Sequence, residues 1–415
     1  MTPDWSEMTR VFGRIGVLSF GGPAAQIALM QRELVDERPW LTQERFQRAL
    51  GFCMILPGPE AMQLATFCGW RLRGTGGALL AGLLFVVPGA VAIFALALLY
   101  LSYGDLPTVE AAFLGIKAAV VVVVVQALAK VARKALTDTS GRVIAVLAFV
   151  AIFALDAPFP SILAAAALWG ALATEGPGAP AEGPAASMRD MARTSAMWGA
   201  IWLIPLVVLS LAGAERLAAV GWFFAKLAVL TFGGAYAVLA WMAQEVVEDR
   251  GWLTPDQMID ALGLAETTPG PLILVTQFVG ALANGPGAWG LLAGGLVALH
   301  ATFAPCFLWI LVGAPWLERL TAQPRLAGAL RGVTAAVAGV IADLSLWFAL
   351  HVVFGGVGRL EAGPLSMPWP EWGTLDPAAA GLSALAAGLI LPNRLPLIAA
   401  LGIMAFAGLA TAALR

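Results

Sequence analysis

Two copies of one tripeptide, Pro57-Gly58-Pro59 and Pro269-Gly270-Pro271, carry the chemistry most legible in this chain. Proline lacks an N–H, collides with the preceding helical turn and pushes the residue before it out of helical geometry, so each copy breaks a helix. The helix that resumes begins with N–H groups that have no internal partner, and these form a site for an anion. The glycine pairs Gly21-Gly22 and Gly233-Gly234 are breaks of the same kind, with the hydroxyls of Ser19, Thr231 and Thr268 close by in sequence. Gln26, Gln63, Thr66, Thr276 and Gln277 add uncharged hydrogen-bonding groups around them.

Ionisable residues give these breaks a sign. Arg14 lies five residues before Ser19, and Lys226 lies five before Thr231. A cation at the centre of a bilayer costs roughly 2.5–3.5 kcal/mol, so one that is retained marks a pathway or a partner, with snorkelling from a helix end as the alternative. Lys117 sits in a run of Ala and Val and either lines the pathway or pairs with an acid. Asp343, which occupies the place of Gln126 in the second half, is the candidate mate. Glu60 directly follows the first Pro-Gly-Pro and Glu266 shortly precedes the second; each is a candidate for proton exchange or a helix cap.

The elements that position these groups are themselves duplicated. Residues 19–59 recur 212 positions later, with 18 of 41 positions identical and no gap. Trp40-Leu41-Thr42 returns as Trp252-Leu253-Thr254, and Ala49-Leu50-Gly51 as Ala261-Leu262-Gly263. Helix-breaking residues at matched places in two halves are the sequence pointer to a transporter's substrate site.

Composition sets the solvent. With 60% hydrophobic residues, 12% charged residues and a mean hydropathy of +0.84, the chain lacks the polar surface of a soluble globule of 415 residues. An all-α polytopic membrane protein is predicted, partnered by the lipid bilayer, with nine apolar stretches at 77–103, 108–129, 143–155, 159–174, 197–213, 287–313, 332–354, 377–391 and 395–414. The blocks 12–30 and 49–70 and their copies are expected to be broken or re-entrant. The polar, unpatterned stretch 175–196 reads as a linker between an N-terminal repeat, 1–174, and a C-terminal repeat, 197–415. A second irregular stretch, 355–377, is expected at the membrane surface.

Loop charges orient the halves. Arg32, Arg38, Arg45 and Arg48 face a copy that keeps only Arg250, while the turn 101–109, which has no Lys or Arg, faces Arg319, Arg325 and Arg331. Arg71 and Arg73 correspond to the uncharged turn 283–286, and Lys130, Arg133, Lys134 and Arg142 to Arg359 alone. The bias alternates as the positive-inside rule requires of halves inserted in opposite directions, which predicts two inverted-topology repeats.

Other function classes find no support. A net charge of −2 gives no basic surface for nucleic acid. Cys53, Cys68 and Cys306 form no CxxC, and His300 and His351 lack ligand spacing, so neither a metal site nor a cofactor is expected. There is no HExxH, GxSxG or P-loop, which argues against a hydrolase or an ATP-driven pump.

The set Ser19-Phe20-Gly21-Gly22-Pro23 with Gln26, Leu56-Pro57-Gly58-Pro59-Glu60-Ala61 with Gln63-Leu64-Ala65-Thr66, Thr231-Phe232-Gly233-Gly234 and Ala265-Glu266-Thr267-Thr268-Pro269-Gly270-Pro271 resembles the chromate ion transporter family, in its long-chain, two-domain type. That resemblance extends to Gly251-Trp252-Leu253-Thr254 and from Ala304-Pro305-Cys306-Phe307 to His351. It implies a bacterial inner-membrane secondary transporter that exports chromate and confers resistance, with sulfate as the related anion and a proton-coupled sulfate or other oxyanion carrier as the alternative. It also implies homologous halves that shorter relatives encode as partner chains, and a homodimer is compatible with it.

Overall fold

The fold comes from a computed structural model, which describes residues 3–104, 106–174, 187–232, 235–285, 287–316, 323–363, 365–392 and 395–414. Gly233, Gly234 and the linker residues 175–186 lie outside that set.

The first half opens with α1 (Trp5–Leu18), α2 (Gly22–Gln31) and α3 (Gln43–Cys53), followed by α4 (Glu60–Tyr103), α5 (Pro107–Ala135), α6 (Thr139–Leu155) and α7 (Phe159–Leu172). The second continues with α8 (Met188–Leu211), α9 (Glu215–Leu230), α10 (Ala235–Gln244), α11 (Pro255–Thr267), α12 (Val275–Ala283), α13 (Ala288–Gly313) and α14 (Pro324–Val353). A hairpin of β1 (Val357–Ala362) and β2 (Leu365–Pro370) precedes α15 (Pro377–Ile390) and α16 (Leu397–Leu414). The protein is a helical membrane protein with little sheet. All nine apolar stretches form helices, and among the described residues five helices (α4, α5, α8, α13 and α14) are long and apolar enough to cross a bilayer.

The 355–377 stretch differs from its expectation as a wholly irregular segment. Val357 pairs with Pro370 and Ala362 with Leu365 in antiparallel register. Gly, Pro and Trp mask the alternation of a strand, yet a two-stranded ribbon consists of edges, and prolines are tolerated where no ladder bond is required.

The chain condenses into two compact units that do not follow the sequence halves. One gathers Met1–Leu98, Gly176–Ala235 and Leu264–Leu326; the other gathers Leu99–Glu175, Tyr236–Gly263 and Ala327–Arg415. In the second, Ala118, Ala119, Val122 and Val123 of α5 bury against Leu382 and Ala386 of α15 and Leu401 and Met404 of α16. These small and branched side chains let helices approach closely where lipid supplies no hydrophobic drive.

The first unit contains both Pro-Gly-Pro breaks and two helical hairpins. The path of α4 leaves helical geometry at Arg73 (φ −145°, ψ 36°) and Gly74 (φ 58°, ψ −149°), separating a short limb, 60–72, from a long one, 75–103. Gly69 and Gly77 would stand ~12 Å apart on a straight helix at 1.5 Å per residue. Instead, a Cβ on either would collide with the carbonyl of the other, so the limbs fold back on one another. In the second half α12 is the short limb and α13 the long one, and Gly280 and Gly294 make the equivalent contact.

Candidate functional site

The helices α1 and α9 end alike. Ser19 and Thr231 follow their last residues, and their hydroxyls turn back to donate to Ile15 O at 2.6 Å and Leu227 O at 2.7 Å. Both residues are almost fully buried. With the hydroxyls so engaged, the Ser19 and Thr231 carbonyls are the groups left for longer-range contact.

Those carbonyls join the halves. Gly58 N donates to Thr231 O at 2.7 Å, and Gly270 N donates to Ser19 O at 2.8 Å. The two bonds interchange under the 212-residue offset, because Gly58 corresponds to Gly270 and Ser19 to Thr231. Each Pro-Gly-Pro of one half thus docks on the end of α1 or of its copy α9 in the other half. Buried backbone groups left unpaired would cost about 1–3 kcal/mol each, so the crossing fixes both breaks. Gly58 (φ 119°) and Gly270 (φ 92°) hold backbone conformations that only glycine adopts readily. The first break lies beside Cys306 of α13, and the second beside Phe85 and Gly89 of α4, so each rests on the long limb of the opposite hairpin.

Two glutamines complete the crossing. Gln26 of α2 donates Nε2 to Gly270 O at 2.7 Å and more weakly to Ser19 O at 3.3 Å. Gln63, in the first turn of α4, donates Nε2 to Pro57 O at 2.6 Å. Thr276 and Thr302 lie 3.2 Å apart on α12 and α13, and Gln277 donates to Ala90 O of α4. Ser19, Gln26 and Gly270 are therefore brought together at one break, and Pro57, Gly58, Gln63 and Thr231 at the other.

The remaining candidates are placed as follows. Gly21 and Gly22 have φ of 85° and 79° and start α2. Pro59 precedes α4, and Pro271 precedes a 3₁₀ turn, Leu272–Leu274, that leads into α12. The Gly58 and Gly270 N–H groups, expected from the sequence among the donors to an anion, are committed to the crossing. The donors that remain are the first-turn N–H groups of the helices that follow. Thr268 is buried, with its hydroxyl on Ala265 O at 2.9 Å, and Pro269 precedes the glycine that crosses. Glu60 is the first residue of α4, and Glu266 is buried in the last turn of α11.

Arg14 is half exposed and lies 3.3 Å from Glu33, a fully buried carboxylate that also takes Arg38 at 2.7 Å. Lys226 is exposed on α9. Lys117 pairs with Asp256 at 2.6 Å and Asp260 at 3.5 Å, not with Asp343. The matched position of Asp343 and Gln126 was a sequence register, whereas Asp256 and Asp260, one turn apart on α11, present both carboxylates to the lysine. Asp343 instead lines a small cavity with Asp156, Glu248 and Arg359.

Glu33 was not foreseen. Its signal was in the repeat: Glu33 and Arg38 correspond to Glu245 and Arg250, which also pair, at 2.7 Å. The three cysteines are buried and free, and His300 and His351 lie within hydrogen-bond reach of the Trp202 and Trp347 carbonyls.

Comparison with known proteins follows the same residues. The family profile described as chromate transporter matches residues 6–171 and 218–409, covering both halves. A chromate transport protein of Pseudomonas aeruginosa is 36% identical over 394 residues, 92% of this chain and 92% of that one. A probable chromate transport protein of Synechococcus elongatus is 32% identical, covering 81% of this chain and 82% of its own. A chromate transport protein of Cupriavidus metallidurans is 30% identical, covering 81% and 80%. No solved structure matches.

Proposed function

The chain belongs to the chromate transporter family, and on that premise we propose that it carries chromate out of the cell as a secondary transporter, binding it at the crossed Pro-Gly-Pro breaks. The observation that carries this reading is the reciprocal pair of bonds between Gly58 and Thr231 and between Gly270 and Ser19. Irregular backbone at membrane depth is tolerated where protein buries it or a watery cavity meets it, and each break here is bonded to the end of a helix from the other half. The first-turn N–H groups of α4 and of the turn leading into α12 bind the anion's oxygens, with the start of α2 at Gly21-Gly22 as a further donor. Arg14 and Lys226, exposed at matched positions of α1 and α9, draw the anion in electrostatically.

In this reading the halves are inverted repeats in the bacterial inner membrane and the two hairpins are re-entrant. Access alternates by rocking of one repeat against the other. An inside-negative potential favours export by about 2.3 kcal/mol per negative charge per 100 mV, roughly fifty-fold in concentration for each charge. Potential therefore suffices as a driving force, and the outward direction confers resistance on the cell.

The test is chromate flux into and out of vesicles containing the purified chain, with potential and pH gradient set independently. Flux that follows the imposed potential is expected. Vesicles that move no chromate at any potential would refute the proposal, and sulfate that moves in chromate's place would reassign the cargo.

A further inference from the structure

Resting on that reading, we propose that the species bound at the crossed breaks is the singly protonated anion, hydrogen chromate, with its O–H donated to a glutamine carbonyl.

Two independent features lead there. The first is a set of acceptors without donors, on Gln277 of α12 and, bonded to the breaks themselves, on Gln26 and Gln63. Gln26 and Gln63 are 1% and 0% exposed, and each donates Nε2 to a backbone carbonyl, which can only accept. Their amide orientations are thereby fixed, and both Oε1 atoms are left buried with no hydrogen-bond partner. A buried acceptor left unmet costs about 1–3 kcal/mol. The fold does not require that cost, because the offset counterparts of Gln26 and Gln63 are Val238 and Val275. Each break therefore carries an acceptor that awaits a donor. A fully deprotonated tetrahedral dianion has only acceptors to offer and would set oxygen lone pairs against the glutamine carbonyls; its singly protonated form supplies one O–H.

The second feature is charge. Among the described residues the buried polar and charged set includes Glu33, Asp260 and Glu266 but no Lys or Arg. Arg14 is held by Glu33, and Lys226 is exposed. The self-energy of an ion in a medium of low dielectric rises as the square of its charge, so a dianion costs about four times as much to bury as a monoanion. Without a buried cation, removing one charge by protonation is the lower-energy route.

The proton also supplies selectivity. Chromate takes up a proton near neutral pH, whereas sulfate, of similar shape, does so only in strong acid. A site that demands an O–H rejects an analogue lacking it far more strongly than a site that measures size. Each cycle then moves one negative charge and one proton outward, with nothing oxidised or reduced. An acidic exterior opposes export under this scheme, the reverse of what an inward-proton exchange predicts.

The experiment is initial chromate flux in vesicles carrying the full chain, from mildly acidic to alkaline pH, with pH equal on both sides and the potential clamped. The KM in total chromate is expected to rise about tenfold per pH unit on the alkaline side, and to be constant in terms of hydrogen chromate. Selenate and sulfate should compete poorly throughout. A KM independent of pH would overturn the proposal, as would sulfate or selenate competing as well as chromate with the same pH profile, which would assign the titration to the protein. Gln26→Val and Gln63→Val, the residues the other half holds at those places, should flatten the slope and admit sulfate. A Val variant that transports with the full slope and selectivity would overturn the glutamine assignment, and the wild-type series decides the protonation state if neither variant is recovered. Wild-type vesicles inert to chromate at every pH would refute transport itself, a distinct outcome.

Discussion

At the residue scale, Gly58 and Gly270 combine a backbone that favours glycine with little room for a side chain. Both need positive φ, and a Cβ would stand 2.8 Å from Gln63 Nε2 and 3.1 Å from Cys306 Sγ at Gly58, or 2.9 Å from Leu274 Cδ1 at Gly270. Gly251 also has positive φ (56°), with open space around it. Gly251→Ala should cost about 1–2 kcal/mol of strain, whereas Gly58→Ala and Gly270→Ala should cost upwards of about 3 kcal/mol and abolish chromate flux. Thermal midpoints in detergent and vesicle flux check this; equal effects at all three would leave the breaks no more constrained than a surface turn. The Pro-Gly-Pro motifs were legible in the sequence because proline and glycine act locally. Glu33 was not, because its partner Arg38 lies five residues on, outside the usual three or four of a helical pair. The π turns Arg32–Asp36 and Glu245–Asp249, with bonds from Glu37 N to Arg32 O and from Arg250 N to Glu245 O, widen the helix and bring residues five apart onto one face.

At the element scale, Lys117 ties α5 to α11, and Tyr100 donates its hydroxyl to Asp260 at 2.9 Å. α11 has 13 residues, too few to cross a bilayer. Burial pushes the Asp260 carboxyl from 3.8 up to about 6, outweighing the downward pulls of Lys117 and Tyr100 and helped by Asp256. Because the folded value is raised, its stabilising contribution is complete below pH 3.8 and is lost as pH rises through about 6. Asp260→Asn, which stays neutral, should remove that loss and raise stability at neutral pH by about 3 kcal/mol at most. A thermal midpoint that falls between those pH values in the parent and stays level in the variant is the expected result; an unchanged slope would place the titration elsewhere. Helix positions were legible from hydropathy, and all nine apolar stretches are helices. The partner of Lys117 was not, since the choice among Asp256, Asp260 and Asp343 depends on which helices lie side by side.

At the scale of the whole molecule, the duplication was legible and the way its halves engage was not. The bonds that join them run between backbone atoms 173 positions apart (Gly58 and Thr231) and 251 apart (Ser19 and Gly270), and backbone carries no residue code. Each compact unit draws segments from both halves. Coexpressed halves, 1–174 and 187–415, which keep α8 whole, should therefore copurify and together move chromate, while either alone should be recovered at a small fraction of that level. A single half that purifies stable and homogeneous would show that the crossing is dispensable.

The crossing has a consequence for how such a chain can arise. A bond from the Pro-Gly-Pro glycine of one half to the end of α1 or α9 in the other is isologous, so a half-length chain could make both bonds with a second copy of itself. While the copies were identical, every change would have appeared on both sides of the axis at once. Halves joined in one chain are free of that restriction, and the present chain uses the freedom: Gln26 faces Val238 and Gln63 faces Val275 at the 212-residue offset, and Lys117 faces Thr334 at an offset of 217. The backbone bonds kept the symmetry while the side chains around them diverged, and directionality could then be written into a scaffold that began with none.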